Sequence, residues 1–160
     1  MSNLLKNSSK LEQSLGNVVR RKSSFLIFDV PNIINGDFAK LYESEPIEID
    51  GNARIGIDMP TIENSRKKFN ECLEEIAKHD ACYILYDFYF ENESGDIRNI
   101  LILICYLDDQ KCPINKKFFY SSNVINIKDE VNAAEHITVH SLNELSFEEI
   151  QDKCRRIKKN

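Results

Sequence analysis

One acid, Asp87, sits inside the otherwise apolar run ACYILYDFYF. A carboxylate in such a place can be a catalytic acid or a structural hydrogen-bond acceptor. No second titratable group stands at a supporting spacing, so a bond to nearby backbone is the expectation. His136 and His140 lie four apart in EHITVH, which reads as a strand, so they should share one face. Metal binding would need an acidic or cysteine ligand beside them. None is suggested, and an exposed edge pair is expected instead. The five cysteines form no CxxC pair, and Cys82 and Cys105 lie in apolar runs as small core residues. No glycine-rich loop follows a strand, and no Ser/His/Asp or Cys/His set is visible. Neither an enzyme nor a cofactor or metal is indicated. What remains is CPINKKFFYSSNVINIKD, Cys112 to Asp129. It places a proline, two lysines, three aromatics and two serines at the start of a helical pattern. A helix serving only the core would show one apolar stripe and one polar face.

These groups must be carried by a scaffold of one domain's size, since 160 residues can bury a single core. The pattern SSKLEQSLGNVV sets Leu11, Leu15 and Val18 at helical spacing, with Ser9 and Glu12 as a capping box. SFLIFDV reads as a buried strand ending at Pro31. PIEIDGNARIGID alternates around Asp50-Gly51 and predicts strands joined by a turn. TIENSRKKFNECLEEIAKH carries the stripe Phe69, Cys72, Leu73 and Ile76 and predicts an amphipathic helix. ACYILYDFYF and IRNILILICYL are apolar on both faces, the mark of central strands, here joined through ENESGD as a hairpin. The helix entered at Pro113 follows, with Phe119 and Tyr120 expected in the core. EHITVH predicts a strand, and SFEEIQDKCRRIKK a last helix with Ser146 and Glu149 as capping box and Leu145 and Ile150 as staple. The order predicts an α/β fold of α+β type, a mixed sheet between helices.

Net charge is −5, which excludes a general nucleic-acid binder. Local bases in RRK and KCRRIKKN suit either a specific acidic partner or solvated helix ends. No apolar run reaches the ~18 residues of a membrane span, and MSNLLKNSSK lacks a signal-peptide core, so a reducing, cytoplasmic setting is expected. The N-x-S triplets at Asn7 and Asn92 then carry no meaning.

CYILYDFYFENESG, CPINKKFFYSSN and LNELSFEEIQDKCRR together resemble the hairpin, long helix and terminal helix of the actin-depolymerising factor/cofilin family. The resemblance runs from about Lys67 to Arg156, and more loosely includes SSFLIFDV. Residues 31–62 are longer than usual and have no match. It implies a single ADF-homology domain over 1–160, of gelsolin-like architecture, monomeric and cytoskeletal. It also implies a non-enzymatic protein that binds actin monomers and filaments and severs and depolymerises the latter. In the family the long helix enters a cleft on actin with bases beside an apolar residue. The matching positions are Asn115, Lys116, Lys117 and Phe118. Ser121 and Ser122 match a small-residue step that bends the helix. A second, filament-binding surface matches Arg98 on the hairpin and Asp152, Lys153 and Arg156 on the terminal helix, where the next hairpin base is replaced near Ile100. At about 100° per residue, Asp152, Lys153 and Arg156 share the side opposite Phe147, Ile150, Cys154 and Ile157. Ser2 is the one residue placed like the family's regulatory phosphoserine. Phosphoinositides compete with actin in the family, and Arg20, Arg21, Lys22, Lys116 and Lys117 are the bases that could serve here. Two other readings stay open: a relative of glia maturation factor type acting on the actin-branching complex, and an adaptor module without actin binding.

Overall fold

Ten consecutive residues, Ala81 to Phe90, are buried, and this strand holds the centre of the fold. The computed structural model describes residues 9–49 and 59–157. Its elements are α1 (Ser9–Val19), β1 (Phe25–Asn32), β2 (Asp37–Glu43), α2 (Ile62–Ile76), β3 (Ala81–Glu91), β4 (Ile97–Leu107), α3 (Ile114–Val131), β5 (Glu135–Val139) and α4 (Phe147–Ile157). The strands make one sheet in the order β2-β1-β3-β4-β5. All pairings are antiparallel except β4 with β5, which is parallel. The mixed sheet between helices expected from the pattern is therefore present.

Alternation along the strands divides the core in two. Leu26, Phe28, Tyr83, Leu85, Leu103 and Cys105 pack under α1 and α3. Ile27, Ile84, Tyr86, Phe88, Ile102 and Ile104 pack under α2 and α4. Burial on both sides is why β3 and β4 read as unbroken apolar runs. The hairpin turn between them is closed by Asn92, whose Oδ1 accepts from the amides of Ser94 at 3.0 Å and Asp96 at 2.9 Å. Gly95 takes φ 86°, a backbone that favours glycine.

The helix stripes follow expectation closely. Leu11, Leu15 and Val18 are buried, as are Phe69, Cys72 and Ile76, while Leu73 is half-buried. Thr61 caps α2 by accepting from the Asn64 amide at 3.1 Å. Ser146 caps α4 by accepting from Glu149 at 3.1 Å, and Leu145 and Ile150 are both buried in the cluster beneath it. All five cysteines are buried thiols.

Three expectations change. β1 continues past Pro31 to Asn32, because the pairing with β2 is irregular between Asp29 and Asn32 and does not need the missing proline amide. Residues 46–49 are not a strand. Ile47 and Ile49 instead tuck beside Ser23, Ser24 and Tyr89, and the Glu48 carbonyl accepts from Asn64 at 3.0 Å. The turn at Asp50-Gly51 lies outside the described residues, as does the Ser9 side chain of the α1 capping box. Lastly, β2 forms where no strand was expected. Its pairing steps from Ile27↔Tyr42 to Phe28↔Lys40, so a bulge at Leu41 breaks the alternation that would have announced it.

Candidate functional site

The entrance of α3 is built from the turn that leaves β4. Asp108 Oδ1 accepts from the Gln110 amide at 2.8 Å and the Lys111 amide at 3.2 Å, and the Asp108 amide bonds Asp80 at 2.9 Å. Those backbone amides, Gln110 foremost, hold its carboxyl below the ordinary range. Pro113 is the N-cap residue, and the Lys117 amide closes the first turn on its carbonyl at 3.0 Å. One turn further, Ser122 Oγ donates to the Phe118 carbonyl at 2.6 Å, the back-bond expected at the serine step.

The inward face of α3 is anchored by Tyr120. Its ring stacks on Tyr83 at 4.6 Å, and its hydroxyl accepts from the buried Val30 amide at 2.8 Å. Tyr83 in turn donates to the Tyr120 carbonyl at 2.9 Å. Phe119, expected in the core, is half-buried and packs only against its margin. Asn132 closes the helix in the left-handed region at φ 58°.

The outward face differs from expectation at the lysines. Lys116 was expected exposed, but its Nζ lies 2.8 Å from Asp80. Burial pushes the nearby Asp29 carboxyl up, with Lys116 opposing. Lys117 Nζ lies 3.1 Å from Asp109 Oδ1 and 3.2 Å from the Asp109 carbonyl. Both lysines are half-buried. Asn115 is exposed, its Oδ1 accepting from the Lys116 amide at 2.9 Å. Phe118 is 75% exposed, as anticipated for an anchor, and Ile114 is 85% exposed. Ile114 was missed, although an apolar residue one turn before Phe118 falls on the same side of the helix.

A second surface gathers at the other end of β3. Gln151 accepts from the Glu91 amide at 2.9 Å, and Arg155 Nε donates to the Glu91 carbonyl at 2.7 Å. Both bonds bolt α4 to the hairpin, and neither residue was singled out from sequence. Asp152, Lys153 and Arg156 face outward and are exposed, with Asp152 3.6 Å from Arg155. Ile157 does not pack inward as expected. It is 37% exposed and lines a cleft of ≈ 580 Å³ with Val19, Arg21, Asp87 and Asn99. Arg98 is half-buried, 3.7 Å from Asp96. Ile100 is buried in the core under α2 and α4, which accounts for its apolar character. From Asp80 to Glu91 is 11 residues of strand, so the two surfaces lie roughly 35 Å apart along β3.

Asp87 has a side-chain partner on the neighbouring strand β4. Its Oδ1 accepts from Asn99 Nδ2 at 2.8 Å, and Asn99 Oδ1 accepts from Arg21 at 3.4 Å. Arg21 thus stands near the Glu91 end, whereas Lys116 and Lys117 stand at the Asp80 end. The five bases considered for phosphoinositides do not form one patch. His136 and His140 do not act as a pair. The first lies 3.5 Å from Glu135, and the second follows β5 and lies 3.4 Å from Asp109. Among the described residues no cluster could hold a metal ion, and no helix is long and apolar enough to cross a membrane. Ser2 and Asn7 lie outside the described residues.

A five-stranded mixed sheet with two helices on each face, and an exposed apolar helix entrance, defines a binding domain of the ADF-homology class. The profile of the Cofilin/tropomyosin-type actin-binding protein family matches residues 47–155. The chain belongs to this family, which is non-enzymatic. Comparison with curated proteins finds no match. Among solved structures the fold is similar to cofilin from Streptomyces griseoflavus, with 17% identity, TM-score 0.67, and 94% of this chain and 96% of that one covered. It is also similar to ADF/cofilin from Trypanosoma brucei, with 20% identity, TM-score 0.61 and 94% of each chain covered. Glia maturation factor from Caenorhabditis elegans gives 13% identity and TM-score 0.63, with 91% of this chain and 92% of that one covered.

Proposed function

We infer that the chain is an actin-binding protein acting on both monomers and filaments, and that it severs and depolymerises filaments. One domain over residues 1–160, acting as a monomer at the cytoskeleton, would suffice. The observation that carries the reading is the α3 entrance, where Ile114 and Phe118 stand 85% and 75% exposed on a helix whose other face is packed. Isolated apolar side chains at a surface need no explanation, but a paired anchor on a rigid helix fits a partner's pocket. Asn115, Lys116 and Lys117 flank it. Arg98, Asp152, Lys153 and Arg156 make the second surface, which would meet a neighbouring subunit in the filament. Contacts to two subunits at once let binding favour one filament twist over another and weaken the bonds between subunits, without chemistry.

Co-sedimentation with filaments, a fluorescence titration of labelled monomers, and imaging of immobilised filaments test the three parts separately. Binding to both forms with breakage of filaments is the expected result. Binding to neither would refute the reading. Binding with no breakage would confine it to an adaptor role, and capture of the branching complex in place of actin would make it a protein of glia maturation factor type.

A further inference from the structure

We propose that Ser65, Gln151 and Arg155 are positioning residues for filament binding: they hold the outer half of the β3–β4 hairpin in a fixed direction, so that Arg98 on the hairpin and the charges of α4 meet a filament as one surface. This rests on the actin-binding reading above and assigns how its second surface is kept in shape.

The need for such residues follows from the register. β1 accompanies β3 only as far as the pair Phe25↔Tyr86, and β5 accompanies β4 only from Ile102 onward. The last five pairs of the hairpin, Asp87↔Leu101 to Glu91↔Ile97, have no strand neighbour on either side among the described residues. A two-stranded ribbon is marginal alone and twists readily. At about 3.4 Å per residue it makes an arm of about 15 Å, and a tilt of roughly 10° at its root moves its end by about 2.5 Å. A hydrogen-bonded contact at that end does not survive such a shift.

Side chains take the place of the missing strand. Alternation turns the backbone groups of Asp87, Tyr89 and Glu91 towards the side on which β1 lies. The Asp87 amide donates to the Ser24 carbonyl at 2.9 Å and carries the ladder one step past β1. Beyond it, Ser65 Oγ of α2 donates to the Tyr89 carbonyl at 2.6 Å. Gln151 Oε1 of α4 accepts from the Glu91 amide at 2.9 Å, and Arg155 Nε donates to the Glu91 carbonyl at 2.7 Å. Arg155 also lies 3.6 Å from Asp152, so one guanidinium joins the outer end of β3 to the α4 surface. Past Glu91 the turn transmits the direction. The Asn92 amide donates to the Asp96 carbonyl at 2.8 Å, and Arg98 donates to the Ile97 carbonyl at 3.3 Å.

Ser65 and Gln151 are 1% and 8% exposed, too deep to reach a partner. Any effect they have on filaments must pass through the hairpin. Arg155 is a base among bases, and charge alone would make it a contact residue. Its guanidinium is instead engaged by Glu91 and Asp152, in a fork that a lysine does not reproduce.

The test uses the full chain with Gln151→Met, Gln151→Glu, Ser65→Ala and Arg155→Lys. Methionine keeps the length and removes the acceptor, glutamate keeps an acceptor oxygen, and lysine keeps the charge and loses the fork. Filament and monomer affinities are measured well below each Tm, so that global unfolding contributes nothing. Residual dipolar couplings of the amides of residues 92–98 report the direction of the arm without any partner. Gln151→Met, Ser65→Ala and Arg155→Lys should each lose about three- to tenfold in filament affinity, the worth of one or two charge contacts. Monomer affinity should stay within about twofold, because that surface lies at the other end of β3. The couplings should shift in these three variants, and Gln151→Glu should restore both couplings and filament affinity. Unchanged couplings in Gln151→Met and Ser65→Ala overturn the positioning role. Shifted couplings with wild-type filament affinity, or equal losses on monomer and filament, overturn its link to filaments. Wild-type filament affinity in Arg155→Lys beside a loss in Gln151→Met overturns the part given to Arg155. A wild type that binds no actin fells the functional reading, and the couplings, read without actin, still decide whether these residues aim the hairpin.

Discussion

Replacing Tyr120 with phenylalanine removes one oxygen and leaves the ring. That oxygen accepts from the Val30 amide at 2.8 Å, deep in the core, and Tyr120 itself is fully buried. The bond joins α3 to β1, two elements 90 residues apart in the chain. Without it the amide of Val30 loses its acceptor with no water to replace it. A buried donor left in that state costs about 1–3 kcal/mol. The ring stacking on Tyr83 at 4.6 Å and the bond from Tyr83 to the Tyr120 carbonyl both survive, so nothing else should change. Tyr120→Ala removes the ring as well. The cavity adds about 3–5 kcal/mol, a large part of the ~5–15 kcal/mol that holds an ordinary domain. Urea unfolding should give a midpoint shift for the phenylalanine variant with an unchanged slope. Hydrogen exchange at the Val30 amide should quicken selectively. Stability within about 0.5 kcal/mol of wild type, with Val30 still protected, would refute the claim that this hydroxyl secures α3.

Neutralising Asp152, Lys153 and Arg156 together should weaken filament co-sedimentation while sparing monomer affinity, each charge contributing about 0.5–1 kcal/mol; equal loss on both forms would mean the two surfaces are not separate. Gln151→Ala should cost about 1–2 kcal/mol by orphaning the Glu91 amide, read in a thermal melt, and should quicken exchange at Glu91. The acid limb should depend on Asp108, whose carboxyl is held below its ordinary 3.8 by the Gln110 and Lys111 amides. A lowered acid contributes stability above its unfolded value and loses it as pH falls through the folded one, so Asp108→Ala should be less stable at neutral pH and lose less on acidification, as seen in melts across that range.

Much of the scaffold was legible because its signals are local or doubly redundant. Ala81–Phe90 could be little other than a central strand, and Ser146 with Glu149 announced α4 within four residues. β2 was hidden by a bulge, which destroys the period on which recognition depends. The lysines show a different limit. Their types and neighbours suggested a free basic patch, but the hairpin ends place Asp80 and Asp109 beside them, and that proximity depends on how β3 and β4 pair. Ile157 was misplaced for a similar reason. It has the right spacing for the inner stripe of α4, but at the last turn it lines an open cleft beside Asp87 and Asn99 and is 37% exposed.

The continuous burial of β3 has a consequence for biogenesis. Ala81 to Phe90 is a ten-residue segment with high strand propensity and a single charge. In the finished protein α3 and α4 cover it, but these helices lie downstream, ending at Ile157. At about 5–20 residues per second, the ribosome leaves the hairpin partly uncovered for several seconds. During that interval the same surface that anchors the fold is a template for aggregation. Weakening α3 or α4 would lengthen the exposure, so variants there should show up first as lost soluble yield in the cell, before any deficit appears in purified protein.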